Sequence, residues 1–221
     1  SAMLSVAGGV ASLPYSYLSS APPSGENEAV IVPLQKDAWA TVISNPALVV
    51  GSGTEDAVRY TLLPVLKARS VRPCGMLSWG NGKAERAGEK ELEKEYPGIR
   101  NWGAEPGECP VRQWRLRPGN ALVLEDFPVP LRTGIRQDRN RVLSWECRGR
   151  RFLMIGNTGF SSLARAEKTP RADVLLIGHH PRDPVDSAAW IRATGARAVI
   201  FTTEHECPVP EGTAIYRLRE T

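Results

Sequence analysis

The sequence predicts an α/β fold in which helices cover both faces of the sheets. Short apolar segments alternate with helical patterns, and the second half of the chain repeats this arrangement. The chain has 221 residues, of which 42% are hydrophobic and 24% are charged, so it is long enough to bury a true core. Such an alternation of strands and helices is typical of layered α/β proteins.

Composition excludes several classes of protein. No apolar run reaches the roughly 18 residues that a membrane-spanning helix needs. The four cysteines form no C-x-x-C pair, so a zinc ribbon is not expected. The net charge of +4 indicates a mild preference for anionic partners but is not a nucleic-acid signature by itself.

The first 28 residues differ from the rest. Ser1-Ala2-Met3 is typical of a tag remnant, and residues 19–25 consist of serine, alanine, proline and glycine. We therefore predict a tag remnant and linker over residues 1–28 and one folded domain over residues 29–221.

The first half of that domain predicts four strands and two helices. Thr54 is a suitable helix N-cap, since Glu55 and Asp56 follow in the first turn, and Pro64 is expected to kink that helix. The predicted strands are 29–34, 39–43, 47–50 and 75–78, and the second helix is 84–95.

The second half predicts a β-rich segment followed by alternating strands and helices. A hairpin-like pair surrounds Arg148-Gly149-Arg150, and residues 173–177 are apolar enough for a fully buried strand. The predicted strands are 111–116, 121–124, 141–147, 151–155, 173–177, 198–201 and 214–216, and the helices are 161–166 and 186–193.

Three segments of the first half resemble motifs of one known family. Leu34-Gln35-Lys36-Asp37-Ala38 is similar to G-Q-G-D-A/S, and Val50-Gly51-Ser52-Gly53 is similar to a strand ending in D-x-G. Residues 77–84 stand where that family has L-S-H-x-H-x-D-H. The family is the metallo-β-lactamase-fold domain of ComEC-type DNA-uptake (competence) proteins.

Two further segments extend this resemblance into the second half. Residues 152–157 resemble a strand that ends in Gly-Asp, with Asn157 at the position of the aspartate. Residues 172–180 resemble A-D-V-L-K-V-G-H-H and keep both histidines, His179 and His180.

The resemblance implies a four-layer αββα sandwich and a role in natural transformation. It also implies single-stranded DNA and the membrane-embedded remainder of a parent protein as partners. The domain would lie on the outer, periplasmic face of the inner membrane. Active relatives resemble zinc- or manganese-dependent nucleases.

The metal-site positions of that family carry unsuitable residues here. Tryptophan has no free lone pair, asparagine is a weak zinc ligand, and lysine repels a cation. The substituted positions are Gly51, Trp79, Asn81, Lys83, Ala84 and Asn157. We therefore expect a vestigial site, no bound metal, no small-molecule cofactor, and a pseudoenzyme with a structural or DNA-handling role.

The three histidines leave one alternative open. His179, His180 and His205 could rebuild a zinc or manganese site, which would make the chain a metal-dependent phosphodiesterase or nuclease. A tetrahedral site needs about four converging ligands, and the simpler interpretation is that the histidines bond to backbone groups. Lys83 could likewise replace part of the lost metal charge or be a solvated side chain.

Basic residues cluster at two places. Arg136 and Arg139 lie in one predicted loop, and Arg148 and Arg150 lie in a predicted turn. Contacts from these arginines to phosphates would give salt-dependent, sequence-independent DNA binding. Solvated loop charges are the simpler interpretation, and a protein-interaction domain without any DNA role is the third hypothesis.

Overall fold

The computed structural model describes residues 29–34, 38–44, 47–78, 82–101, 112–117, 120–127, 142–147, 149–155, 170–178, 185–202 and 209–217. The chain divides into two compact units, one formed by Ser1–Glu105 with Leu218–Thr221 and the other by Pro106–Arg217. The predicted linker at residues 1–28 and the predicted helix at 161–166 lie outside the described residues. The prediction of one domain over residues 29–221 stays a prediction.

The first unit contains a five-stranded mixed sheet whose strands follow one another in chain order. The first two pairs, β1–β2 and β2–β3, are antiparallel, and the pairs β3–β4 and β4–β5 are parallel. The strands are β1 Ala29–Pro33, β2 Trp39–Ile43, β3 Leu48–Val50, β4 Gly75–Leu77 and β5 Arg100–Asn101.

A helical segment connects β3 to β4 and begins as the sequence predicts. The hydroxyl of Thr54 accepts a hydrogen bond from the backbone N–H of Ala57 at 3.1 Å, which caps α1, Glu55–Ala57. A π-helical turn, Val58–Leu62, follows and leads into α2, Leu63–Ala68. Because Pro64 cannot donate a backbone hydrogen bond, the predicted disturbance takes the form of this π turn.

Helix α3, Lys83–Glu95, packs closely against the loop that follows β3. A Cβ atom on Gly88 would lie 2.6 Å from the carbonyl oxygen of Gly53 and 3.0 Å from the hydroxyl of Ser52. Leu92, one turn further along the helix, joins the buried apolar cluster with Val58 and Leu62. A glycine at position 88 is therefore what lets this helix approach the loop.

The second unit contains a seven-stranded sheet in the order β12-β11-β10-β9-β8-β7-β6. Strands β6 to β9 pair antiparallel, and β9 to β12 pair parallel. Helix α4, Val185–Thr194, forms the crossover that a parallel β10–β11 pair requires. The strands are β6 Arg112–Arg117, β7 Asn120–Phe127, β8 Val142–Cys147, β9 Arg150–Met154, β10 Val174–Ile177, β11 Ala198–Phe201 and β12 Ala214–Arg217.

The core of the second unit lies between this sheet and α4. Trp190 and Ile191 of the helix join Leu175, Val199 and other buried side chains in one apolar cluster. On β8 and β9, the directly opposed rings of Trp145 and Phe152 stack with centroids 5.0 Å apart. Because the central strands are buried on both faces, their sequences are continuous apolar runs and do not alternate between apolar and polar residues.

The α/β class predicted from the sequence is confirmed by these two sheets and their helices. Strands Trp39–Ile43 and Ala198–Phe201 occur with the predicted bounds, and the strand predicted at 173–177 is buried throughout as Val174–Ile177. The strand Arg100–Asn101 was not predicted, because two exposed polar residues carry no strand pattern. Its order comes from pairing with β4, including a bond from Arg100 N–H to the carbonyl of Cys74 at 3.1 Å.

The predicted location on the periplasmic face of an inner membrane is wrong. In the part of the chain that the structure describes, no helix is both long and apolar enough to cross a bilayer. A span needs about 20 apolar residues, whereas α3 has 13 residues and is rich in lysine and glutamate.

Replacing Gly88 with alanine tests the close contact between α3 and the loop after β3. We expect Gly88→Ala to lower the free energy of unfolding by about 1–3 kcal/mol, because the new methyl group meets backbone that cannot move away. This loss outweighs the gain of about 1 kcal/mol in helix propensity.

Chemical unfolding of the full chain measures this change. Lys90→Ala introduces the same residue at an exposed position of α3 and should change stability by less than about 0.5 kcal/mol. A Gly88→Ala variant as stable as the parent protein would contradict the described packing.

Candidate functional site

The structure describes three of the predicted metal-site positions, Gly51, Lys83 and Ala84, and one predicted DNA-contacting residue, Arg150. The other predicted residues lie outside the described ranges; they are Trp79, Asn81, Arg136, Arg139, Arg148, Asn157, His179, His180 and His205.

The ends of β3 and β4 bring two of the motif segments together. The two strands are parallel, so the residues that follow them meet at one edge of the sheet. The backbone N–H of Gly51, just after β3, donates to the carbonyl of Leu77, the last residue of β4, at 2.8 Å. The segments that begin at Gly51 and Ser78 are therefore neighbours, as the resemblance implies for residues of a metal site.

Gly51 lacks the side chain that a metal site would need at this edge. Its φ of 79° lies in the left-handed region, which a residue with a Cβ adopts at a cost of about 1–2 kcal/mol. The glycine thus removes a carboxylate and at the same time permits the local turn of the chain.

Lys83 and Ala84 begin α3 at the same edge. Gly82 precedes them as an N-cap without a side-chain hydrogen bond, and both residues are exposed. The positive charge of a lysine at a helix N-terminus interacts unfavourably with the helix dipole. Packing rather than electrostatics therefore determines where this helix begins. Within the described ranges Lys83 makes no ion pair, and both alternatives for its role stay predictions.

A buried carboxylate that the sequence analysis missed lies behind these positions. Glu89 of α3 is 6% exposed and accepts a hydrogen bond from the hydroxyl of Ser78, which is 1% exposed. Its second oxygen accepts from the side-chain amide of Asn101, on β5, at 3.2 Å. Glu89 therefore connects α3 to the ends of β4 and β5.

A second contact fixes the loop after β3. The buried hydroxyl of Ser52 donates to the backbone carbonyl of Glu85, in the first turn of α3, at 3.1 Å. Together with the bonds of Glu89, it connects the helix to the residues after β3 and β4 and to the last residue of β5. The sequence did carry a signal for the buried face of α3, because Gly88 and Leu92 lie one helical turn apart and Glu89 is next to Gly88.

The described donor set does not fit a dinuclear zinc site. Such a site needs converging imidazoles and carboxylates, and the three described positions supply a glycine, an ammonium group and a methyl group. Among the described residues no group of three histidine, cysteine, aspartate or glutamate side chains is arranged to hold a metal ion.

Three strands of the second unit immediately precede, in the sequence, segments that contain other predicted positions. Strands β9, β10 and β11 are parallel, with Met154 opposite Leu176 and Ile177 opposite Phe201. Thr202 closes this edge, since its backbone N–H donates to the carbonyl of Ile177 at 3.0 Å. The segments that contain Asn157, His179 and His205 each follow one of these strands in the sequence.

Arg150 lies at the opposite edge of the same sheet. It is the first residue of β9, and its guanidinium group lies 4.0 Å from the carboxylate of Asp173, just before β10. Arg150 is thus one strand length away from the edge where β9 and β10 end. For the four residues of β10 this length is about 13 Å.

No protein-family model and no curated protein matches this sequence. Among solved structures, a protein designated a metal-dependent hydrolase from Parabacteroides distasonis is similar with a TM-score of 0.50 and 10% identity, over 87% of this chain and 93% of the other. This likeness concerns the fold alone.

Two further solved structures are similar at lower scores. A Zn-dependent hydrolase of the metallo-β-lactamase superfamily from Thermotoga maritima has a TM-score of 0.44 and 13% identity, over 77% of this chain and 73% of the other. The metallo-β-lactamase SMB-1 has a TM-score of 0.46 and 12% identity, over 76% and 81%. The predicted fold class, α/β and metallo-β-lactamase-like, is confirmed.

Removing the Glu89 carboxylate tests its role at the edge of the first sheet. We expect Glu89→Ala to lower the free energy of unfolding by about 2 kcal/mol or more, because the buried hydroxyl of Ser78 and the amide of Asn101 lose an acceptor. Glu89→Gln keeps one acceptor oxygen and should cost less.

Chemical unfolding of the three proteins gives this order. Glu93→Ala is the matched control, because it removes an exposed carboxylate from the same helix. Equal stabilities for Glu89→Ala and Glu93→Ala would show that the buried carboxylate does not hold this edge together.

Proposed function

We propose that this chain is a ComEC-type DNA-handling domain that binds single-stranded DNA and does not cut it by zinc chemistry. The proposal joins the resemblance of residues 34–38, 50–53, 77–84, 152–157 and 172–180 to the confirmed fold class.

The observation that carries the proposal is the residue set at the edge where β3 and β4 end. Hydrolysis of a phosphodiester by two metal ions needs ligands that hold both cations and the attacking water. Gly51 offers no ligand there, and Lys83 and Ala84 begin the adjacent helix without one. The chain thus keeps the strands and loops of a metal-site framework while its side chains provide other chemistry.

The hydrogen bonds at this edge are a second observation that supports the proposal. Glu89, Ser78 and Ser52 connect α3 to the loops that follow the strands. A structural metal would contribute folding free energy at such a place. Here polar side chains of the protein itself supply that connection, so the edge does not require a metal to be ordered.

Charge supports a polyanionic partner. The chain carries a net charge of +4, and Arg150 lies exposed on the second unit with a 54% accessible side chain. Arginine binds phosphate oxygens through two parallel N–H groups and keeps its charge at all physiological pH values. Binding of this kind is independent of base sequence and weakens as salt displaces the arginine contacts.

A second candidate function is a metal-dependent phosphodiesterase with a rebuilt site. The parallel pairing of β9, β10 and β11 favours it, because the segments containing Asn157, His179 and His205 follow strands that run in one direction. This candidate requires ligands beyond the histidines, since zinc takes about four.

Assays with labelled single-stranded DNA separate the two functions. We expect binding that weakens with added salt, and no cleavage with either zinc or manganese. His179→Ala and His180→Ala should leave both results unchanged. Cleavage that needs added metal and is lost in either histidine variant would establish the hydrolase instead. Absence of binding even at low salt would count against any DNA role and contradict the proposal.

A further inference from the structure

A groove of about 400 Å³ opens at the edge of the second sheet where β9 and β10 begin. Its lining comes from the start of β9, the residues just before β10, and the segment between α4 and β11. Three arginines, Arg151, Arg171 and Arg197, line it together with the carboxylates Glu146 and Asp173. All of these residues belong to one compact unit.

The three arginines are exposed and have no acidic partner among the residues that the structure describes. Within the described part of the second unit, none of their guanidinium groups makes an ion pair. The first unit shows the contrasting arrangement: Arg59 lies 2.6 Å from Glu55 and 3.0 Å from Glu91, and its hydrogen bond holds the pKa of Glu91 below the usual value. The arginines of the groove are therefore available to an external anion.

The two carboxylates do not neutralise the groove. Asp173 accepts a hydrogen bond from the backbone N–H of Arg151 at 2.9 Å and lies 4.0 Å from the guanidinium group of Arg150. With Arg150 included, four guanidinium groups and two carboxylates give a net charge of +2. A surface with this excess of one sign attracts anions.

The backbone beneath these side chains is firmly held. The N–H of Asp173 donates to the carbonyl of Arg151 at 2.8 Å, and the N–H of Arg197 donates to the carbonyl of Asp173 at 3.0 Å. The carbonyl of Arg197 in turn accepts from Ala214 at 2.9 Å. Arg151 and Arg197 thus start from hydrogen-bonded backbone, and Ala172, next to Arg171, donates to the carbonyl of Thr194 at 3.2 Å. A backbone held in this way lowers the entropic cost of bringing the arginines to one ligand.

We infer that this groove, rather than the edge that resembles a metal site, binds the phosphates of single-stranded DNA; the inference rests on the proposed function. Guanidinium groups match phosphate oxygens in charge and geometry. The volume of the groove lies within the range of about 300–1,000 Å³ found for ligand pockets. Contacts to phosphates alone make the binding independent of base sequence.

The inference places bound DNA at the end of the second sheet where β9 and β10 begin. The groove lies at the edge where β9 and β10 begin, and the segments that contain Asn157 and His179 follow the edge where these strands end. A strand held in the groove through its phosphates is bound about one strand length, roughly 13 Å, from that second edge.

Substitution of two groove arginines tests the inference. Arg171 and Arg197 both lie outside the regular strands and are exposed, so Arg171→Ala/Arg197→Ala should fold. We expect its affinity for single-stranded DNA to fall at least about tenfold, and the slope of log K against log salt to become shallower by about 1.4, since each lost phosphate contact contributes about 0.7.

Two further variants keep the test falsifiable. Arg192→Ala removes one positive charge from an exposed position of α4 that does not line the groove, and it should bind DNA as the parent protein does. Arg171→Lys/Arg197→Lys keeps the charge, so it should keep the salt slope while losing part of the affinity. Thermal unfolding of each variant checks that the fold is retained.

The possible outcomes separate this inference from the proposed function. If the parent protein fails to bind single-stranded DNA at low salt, the proposed function and the inference both fail. If the parent protein binds but the double alanine variant binds equally well, with an unchanged salt slope, the inference alone is overturned. An equal loss of binding free energy per arginine removed in the double alanine variant and in Arg192→Ala would also overturn it, because net charge rather than the groove would then determine binding.

Discussion

The first unit depends on the hydrogen bonds that Glu89 makes with Ser78 and Asn101. A buried carboxylate is expensive to desolvate, and it is tolerated here because both of its oxygens accept hydrogen bonds. These bonds hold α3 against the ends of β4 and β5, and Gly88 lets the helix approach the loop after β3. Because these contacts fix α3, they also fix the position of its first residues, Lys83 and Ala84, at this edge.

This constraint connects the fold to the proposed loss of metal chemistry. In a metal site, ligands on successive loops are drawn together by the cation itself. Here the residues that follow β3 and β4 are held by the bond from Gly51 to Leu77, by the bond from Ser52 to the backbone carbonyl of Glu85, and by the bond from Ser78 to Glu89 of α3. A chain that orders these loops with its own polar groups can lose its metal ligands and keep its fold.

Much of the fold could be predicted from the sequence, and the groove could not. Thr54 with two following acids marks a helix start, and the apolar residues of β10 mark a buried strand, because both signals are local. The role of Glu89 depends on partners 11 and 12 residues away in the chain, and the groove joins segments from Glu146 to Arg197. Sequence reasoning singled out Arg150 by its local cluster, whereas Arg171 and Arg197 each stand without an adjacent basic residue and were not singled out.

The central claim is that this metallo-β-lactamase-like fold operates without its metal site. Titration of zinc, and separately of manganese, into the purified chain under calorimetric detection tests that claim most directly. The account predicts no stoichiometric binding, because a glycine, a lysine and an alanine stand at Gly51, Lys83 and Ala84, where the resemblance implies metal-site residues. One or two equivalents of tightly bound metal, reduced by His179→Ala or His180→Ala, would contradict it.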